Sequence, residues 1–141
     1  MADTLTKTER SLRMSLIKGT NSRPEMIVRR LVHAMGFRYR LHVRTLAGVP
    51  DLVFPRPRKI VLVHGCFWHR HGEPSCKLAR LPKSRVAFWT LKLNANRTRD
   101  RKNRDLLERD GWKVLEIWEC EIKDLCALEA RLRYFLEDEL T

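Results

Sequence analysis

The chain has 141 residues, 43% of them apolar, which is room for one compact domain with a real core and not for a second. Its 29 Lys and Arg against 17 Asp and Glu give a formal charge of +12, the balance of a polyanion binder, and charge alone leaves DNA, RNA and a merely solvated basic surface open. The N-terminus is polar and no apolar run approaches the roughly 18 residues of a membrane span, so a soluble intracellular protein is expected.

Ser22-Arg23-Pro24-Glu25 reads as a helix start, with Ser22 at the N-cap, Pro24 in the first turn and Glu25 completing a capping box. Ile27, Leu31 and Ala34/Met35 mark its apolar face and Gly36 ends it. Residues 37–43, 51–54 and 59–64 read as three strands of a meander, the last two separated by the turn Pro55-Arg56-Pro57-Arg58. An irregular stretch over 65–82 is longer than most loops in a compact domain, a length usually kept for function. From about 84 to 109 the spacing of Phe88, Leu91, Leu93, Ala95, Leu106 and Leu107 predicts a long helix, with Gly111 after it. Residues 112–118 alternate as a fourth strand, and Asp124 caps a last helix whose buried side carries Leu128, Leu132, Phe135 and Leu136. This order predicts an α/β fold with a central mixed β-sheet flanked by helices.

Two groups of residues bear chemistry. Cys66, His71 and Cys76 share the long loop and Cys120 follows the fourth strand, a Cys₃His set that suits tetrahedral Zn²⁺ with no open position, hence a structural site. On spacing alone, a metal site and unrelated thiols both remain. Cys126 reads as an ordinary core residue. Asp51 opens the second strand and His64 closes the third, at neighbouring ends of a hairpin; a carboxylate there can ligate Mg²⁺, and His64 or His69 can move a proton near neutral pH. Phe67 and Trp68, between the histidines, are either core or wedges for a weakened base step, and Trp89 is a weaker candidate for the same role.

The segment Val63-His64-Gly65-Cys66-Phe67-Trp68-His69-Arg70-His71, with Pro50-Asp51 upstream and Gly111-Trp112 to Trp118-Glu119-Cys120 downstream, resembles the very-short-patch repair (Vsr) endonucleases over nearly the whole chain. The resemblance implies a bacterial enzyme of the cytoplasm and nucleoid, with a restriction-endonuclease-like core, that nicks one DNA strand beside the T of a T:G mismatch left by deamination of 5-methylcytosine. It further implies Asp51 as the Mg²⁺ ligand with the backbone carbonyl of Val63 beside it, His69 as the catalytic histidine, and His64 and Asp100 assisting. Glu25 falls where the family has an active-site acid, a role that either competes or coexists with its role as a cap. Cys66, His71, Cys76 and Cys120 fall on the zinc ligands, and Phe67, Trp68 and Trp89 on the aromatics that enter the duplex.

Residues 1–141 are accordingly expected to form a single domain, with 1–20 an N-terminal arm or helix contacting DNA, acting as a monomer with mismatch-repair proteins as partners and no membrane. One departure stands out: Gly72-Glu73-Pro74-Ser75 lengthens the interval from His71 to Cys76 beyond the single-residue gap of the family. The Val63-His64 pair in place of a restriction-type Glu-x-Lys is itself part of the family pattern. The rival activities are a restriction-type endonuclease cutting matched DNA on the same fold, and a zinc module that binds DNA without cutting it.

Overall fold

The computed structural model describes residues 22–67, 71, 76–81 and 83–137. Helix α1 (Arg23–Ala34) starts where the sequence places it: Ser22 is extended (φ −61°, ψ 161°) and its side chain accepts the Glu25 N–H, with Pro24 in the first turn. Its buried stripe is Val28 and Val32, four apart, with Leu31 and Met35 only partly buried and Ala34 exposed. The expected face is thus displaced by about one residue, because a side chain on a helix leans back over the preceding turn.

Strands β1 (Arg40–Leu41), β2 (Leu52–Phe54), β3 (Lys59–His64) and β4 (Lys113–Trp118) form one mixed sheet in that spatial order. Strands β1, β2 and β3 are antiparallel neighbours, the predicted meander, and β4 joins β3 in parallel. The crossover between β3 and β4 is made by α2 (Val86–Arg109), and α3 (Leu125–Glu137) closes the chain. Strand β1 is far shorter than the expected 37–43; at its C-terminal end His42 turns into the left-handed region (φ 47°) and ends the ladder.

Period-two alternation assigns the two faces. Leu52 and Phe54, Val61 and Val63, and Ile117 pack with Val28 and Val32 of α1 and Leu128, Leu132 and Leu136 of α3. Val53 and Ile60 face the other way, against Leu107 of α2. The result is a sheet with α1 and α3 on one face and α2 on the other, the layered arrangement expected of alternating elements.

Helix α2 runs unbroken for 24 residues, yet buries only Leu93 and Leu107. These lie on one stripe at 100° per residue, whereas Phe88, Leu91 and Leu106, apolar residues of the same predicted helix, point away and are exposed, Leu91 to 77%. Cys126 is also exposed rather than core. It precedes Leu128 by two positions, about 200° round α3 from the buried Leu128, Leu132 and Leu136. Asp124 does cap α3, accepting the Ala127 N–H at 3.1 Å.

The loop from His42 to Asp51 lies against α2. Gly48 has φ +73°, and a Cβ there would come within 2.9 Å of the Asn103 side chain. Glycine answers both demands, since an L side chain would meet backbone strain and a neighbour. Gly48→Ala is expected to lower stability by about 1–2 kcal/mol; an unchanged urea midpoint would show that the loop does not depend on this approach.

Candidate active site and metal centre

The chemistry-bearing residues collect at one end of the sheet. The parallel register pairs His64 with Trp118, so the residues two beyond each, Cys66 and Cys120, leave the sheet side by side. The Cys120 N–H donates to Cys66 Sγ at 3.4 Å. His71 is tied to the same place, its N–H donating to the Cys66 carbonyl at 2.9 Å and its ring stacked on Trp118 at 4.2 Å. His71 Nδ1 then lies 3.6 Å from Cys120 Sγ, and Cys76 completes a group whose ligand atoms are all within 4.8 Å of one another.

That arrangement fits a metal ion. Four ligands at about 2.0–2.3 Å around a tetrahedral centre sit about 3.3–3.8 Å apart. Burial pushes the Cys66 and Cys120 thiols up, so both hold their protons until a cation displaces them. The lengthening residues 72–75 lie outside the described residues, and the four ligand atoms meet nonetheless.

The second cluster joins α1 to the first hairpin. Glu25, 3% exposed, turns its carboxylate away from the capping box expected of it: Oε2 lies 3.0 Å from His42 Nε2 and 3.6 Å from Arg29 Nη1. Only the Ser22 half of the capping box forms. Asp51 Oδ2 accepts the Val63 N–H at 2.8 Å, which fixes its carboxylate against β3. Glu25, His42 and Asp51 offer three ligand atoms within 4.8 Å of one another.

Burial first, and the charge of Glu25 after it, raises Asp51 from 3.8 to about 7, while the Val63 N–H and His42 pull the other way. A buried and a half-buried carboxylate in one place are a like-charge pair whose repulsion a cation relieves. The donor set, two carboxylates with a hydrogen-bonded backbone beside them, is therefore chemically suited to a hard divalent ion.

His42 was not singled out from the sequence, although strand pairing could have found it. With Leu41 opposite Leu52, the next pair outward is His42 and Asp51, and the His42 N–H does donate to the Asp51 carbonyl at 3.3 Å. Trp118 is the second such residue. Its ring meets His64 at 4.9 Å as well as His71 at 4.2 Å, so one indole contacts both histidines.

The family model described as DNA mismatch endonuclease Vsr matches residues 2–77. The chain is 47% identical over 137 residues to the Type II nicking enzyme V.XorIIP of Xanthomonas oryzae pv. oryzae, covering 97% of this chain and 98% of that protein. It is 38% identical to the Type II nicking enzyme V.NmeAIP of Neisseria meningitidis serogroup A, covering 98% and 96%, and 36% identical to the DNA mismatch endonuclease Vsr of Escherichia coli K12, covering 87% and 77%. The chain belongs to the Vsr family of DNA mismatch endonucleases.

For a Vsr endonuclease the remaining site residues divide as follows. His64 is buried at the end of β3 and Asp100 is half-buried on the inward stripe of α2 with Leu93 and Leu107; neither belongs to the two ligand clusters. Phe67 and Trp89 meet edge to face at 5.4 Å, and Phe88 adds a third ring 5.2 Å from Trp89. His69 and Trp68 lie outside the described residues, as does the N-terminal segment 1–20. Among the described residues no helix is long and apolar enough to cross a membrane.

The raised pKa has a defined sign. Folded Asp51 binds its proton up to about pH 7, whereas an unfolded carboxyl releases it near 3.8, so its contribution to stability is full below pH 3.8 and lost as pH rises through 7. Asp51→Asn keeps an oxygen for the Val63 N–H and removes the charge. In buffer without added divalent metal it should stabilise the protein by roughly 2–4 kcal/mol at pH 8 and by little at pH 4. A urea midpoint gain independent of pH would count against charge burial as the cause.

Proposed function

We propose that this Vsr endonuclease nicks one strand of duplex DNA beside the T of a T:G mismatch, using Mg²⁺ for chemistry and Zn²⁺ for structure on a restriction-endonuclease-like core. The observation that carries the reading is the half-buried Asp51 carboxylate, locked by the Val63 amide and facing Glu25. Asp51 and Glu25 would hold Mg²⁺. The Val63 carbonyl is a third donor: a strand residue directs N–H and C=O toward the same edge, and the Val63 N–H already points to Asp51. Bound there, Mg²⁺ would neutralise charge on the scissile phosphate and its departing oxygen.

The protein's own side chains do the rest. His69 takes the proton of the attacking water, a role resting on its place in the motif, and His64 and Asp100 assist it. Trp118, in contact with His64, holds that ring at the end of β3. Phe67, Trp68 and Trp89 enter the duplex at the weakened pair, at an unstacking cost of a few kcal/mol that is least where pairing is poor. The +12 charge binds backbone phosphates, and residues 1–20 add to that contact. The protein works as a single domain and a monomer, in the bacterial cytoplasm at the nucleoid, with mismatch-repair proteins as partners.

Cys66, His71, Cys76 and Cys120 would hold Zn²⁺, whose thiolate and imidazole preference matches this donor set. Because Cys66 directly precedes Phe67, the ion would anchor the chain that carries the wedge. Cys120→Ala should lower bound zinc and thermal stability together, by several kcal/mol since metal binding is folding free energy here; full zinc stoichiometry in that variant would remove Cys120 from the site.

The decisive experiment compares T:G and T:A forms of one labelled duplex, with and without Mg²⁺. Nicking of the T-bearing strand in the mismatch alone is expected, and Asp51→Ala should reduce it by at least about 10³-fold while mismatch binding survives. Double-strand cleavage of the matched duplex would favour a restriction-type enzyme. Absence of Mg²⁺-dependent cleavage would favour a binding module.

A further inference from the structure

His42 has no role in the family resemblance, yet it touches both acidic residues of the site. Its ring Nε2 lies 3.0 Å from Glu25 Oε2, and its main-chain N–H is bonded to the Asp51 carbonyl. Its backbone sits at φ 47°, a conformation uncommon outside glycine though tolerated by His and Asn. That turn is what carries the imidazole out of the β1 ladder toward α1. The second hold on Glu25, Arg29 Nη1 at 3.6 Å, reaches the same oxygen from one turn along the same helix and so cannot fix α1 relative to the sheet.

We propose that His42 is a positioning residue: its Nε2–H donates to Glu25 Oε2 and, because its main chain is tied to Asp51, it sets the spacing of the two carboxylates that receive the divalent cation. This rests on Glu25 and Asp51 being the cation's ligands. Glutamate loses considerable rotamer freedom when held for a metal, and ligating carboxylates are commonly oriented by such outer hydrogen bonds, whose loss costs about 10–100-fold in metal affinity. A direct imidazole ligand would instead suit a softer transition ion better than Mg²⁺.

The test uses the full chain with Mn²⁺ as a paramagnetic probe, free of DNA, followed by nicking of the T:G duplex. His42→Gln retains an amide donor of similar reach; His42→Asn accepts the left-handed backbone but falls short of Glu25. Asn should weaken Mn²⁺ binding by about 10–100-fold and lower kcat comparably with duplex affinity unchanged, whereas Gln should stay within about threefold of wild type. Wild-type Mn²⁺ affinity in the Asn variant, or equal loss in both variants, overturns the proposal. In the unaltered protein, histidine ¹⁵N spectra should show Nε2 of His42 still protonated after Mg²⁺ is added. Loss of that proton would make His42 a direct ligand and overturn the positioning role without any variant. Were Glu25→Gln and Asp51→Asn both to bind Mn²⁺ like wild type, the ligand assignment itself would fall, and that result needs no His42 substitution.

Discussion

Everything at the working end of the molecule depends on the parallel pairing of β3 with β4. The ladder runs from Lys59 opposite Lys113 to His64 opposite Trp118, and it delivers two strands ending level at the same edge. Cys66 and Cys120 each follow two residues later, so their meeting is a consequence of register. A slip of one residue would turn the side chains to the opposite face and separate the thiols. The antiparallel neighbour β2 uses the same edge in the reverse sense, since Asp51 enters where β3 leaves. Sites at the carboxyl ends of parallel strands are the general habit of open α/β sheets.

Two different electrostatic demands meet at that edge. Two thiols of the first cluster stay neutral until a cation arrives, because burial holds the Cys66 and Cys120 protons in place. The carboxylate cluster is burdened with charge instead, and the half-buried Asp51 beside Glu25 is comfortable only when protonated or counterbalanced. Soft sulfur and hard oxygen would thus suit different classes of metal ion, and the Trp118 ring packs on His71 of the thiol cluster as well as on His64 at the end of β3.

Much of this was legible in the residues. Turn chemistry, capping by Ser22 and Asp124, and alternation in Lys59–His64 located the elements, and the convergence of Cys66, His71, Cys76 and Cys120, left open by their spacing, followed from the family resemblance. Local pattern failed where tertiary geometry decides. Glu25 carries the signature of a capping box, but its carboxylate goes to His42, seventeen residues away, because the site offers a stronger partner than the Ser22 amide. His42 itself is invisible until the β1–β2 register is known. Leu91 and Phe88 look like core in a helical pattern, yet only the stripe through Leu93 and Leu107 of α2 meets the sheet side. Cys126 fell to the same kind of error: residue type suggested burial, and helix phase put it outside.

At the far end of β3, Lys59 is buried to 1% exposure, with its ammonium donating to the carbonyls of Phe135 at 2.6 Å and Leu136 at 3.4 Å in the last turn of α3. A buried cation in the strand that leads to the proposed cation site invites competition between the two. Six residues of strand separate the ends by about 16 Å, and at an effective dielectric of about 20 two unit charges that far apart repel by only about 1 kcal/mol. The helix carbonyls, at the negative end of their own dipole, cancel part of even that. The length of β3 therefore serves as insulation, allowing one strand to carry a positive anchor at its root and, at its tip, the residues proposed to receive a positive ion.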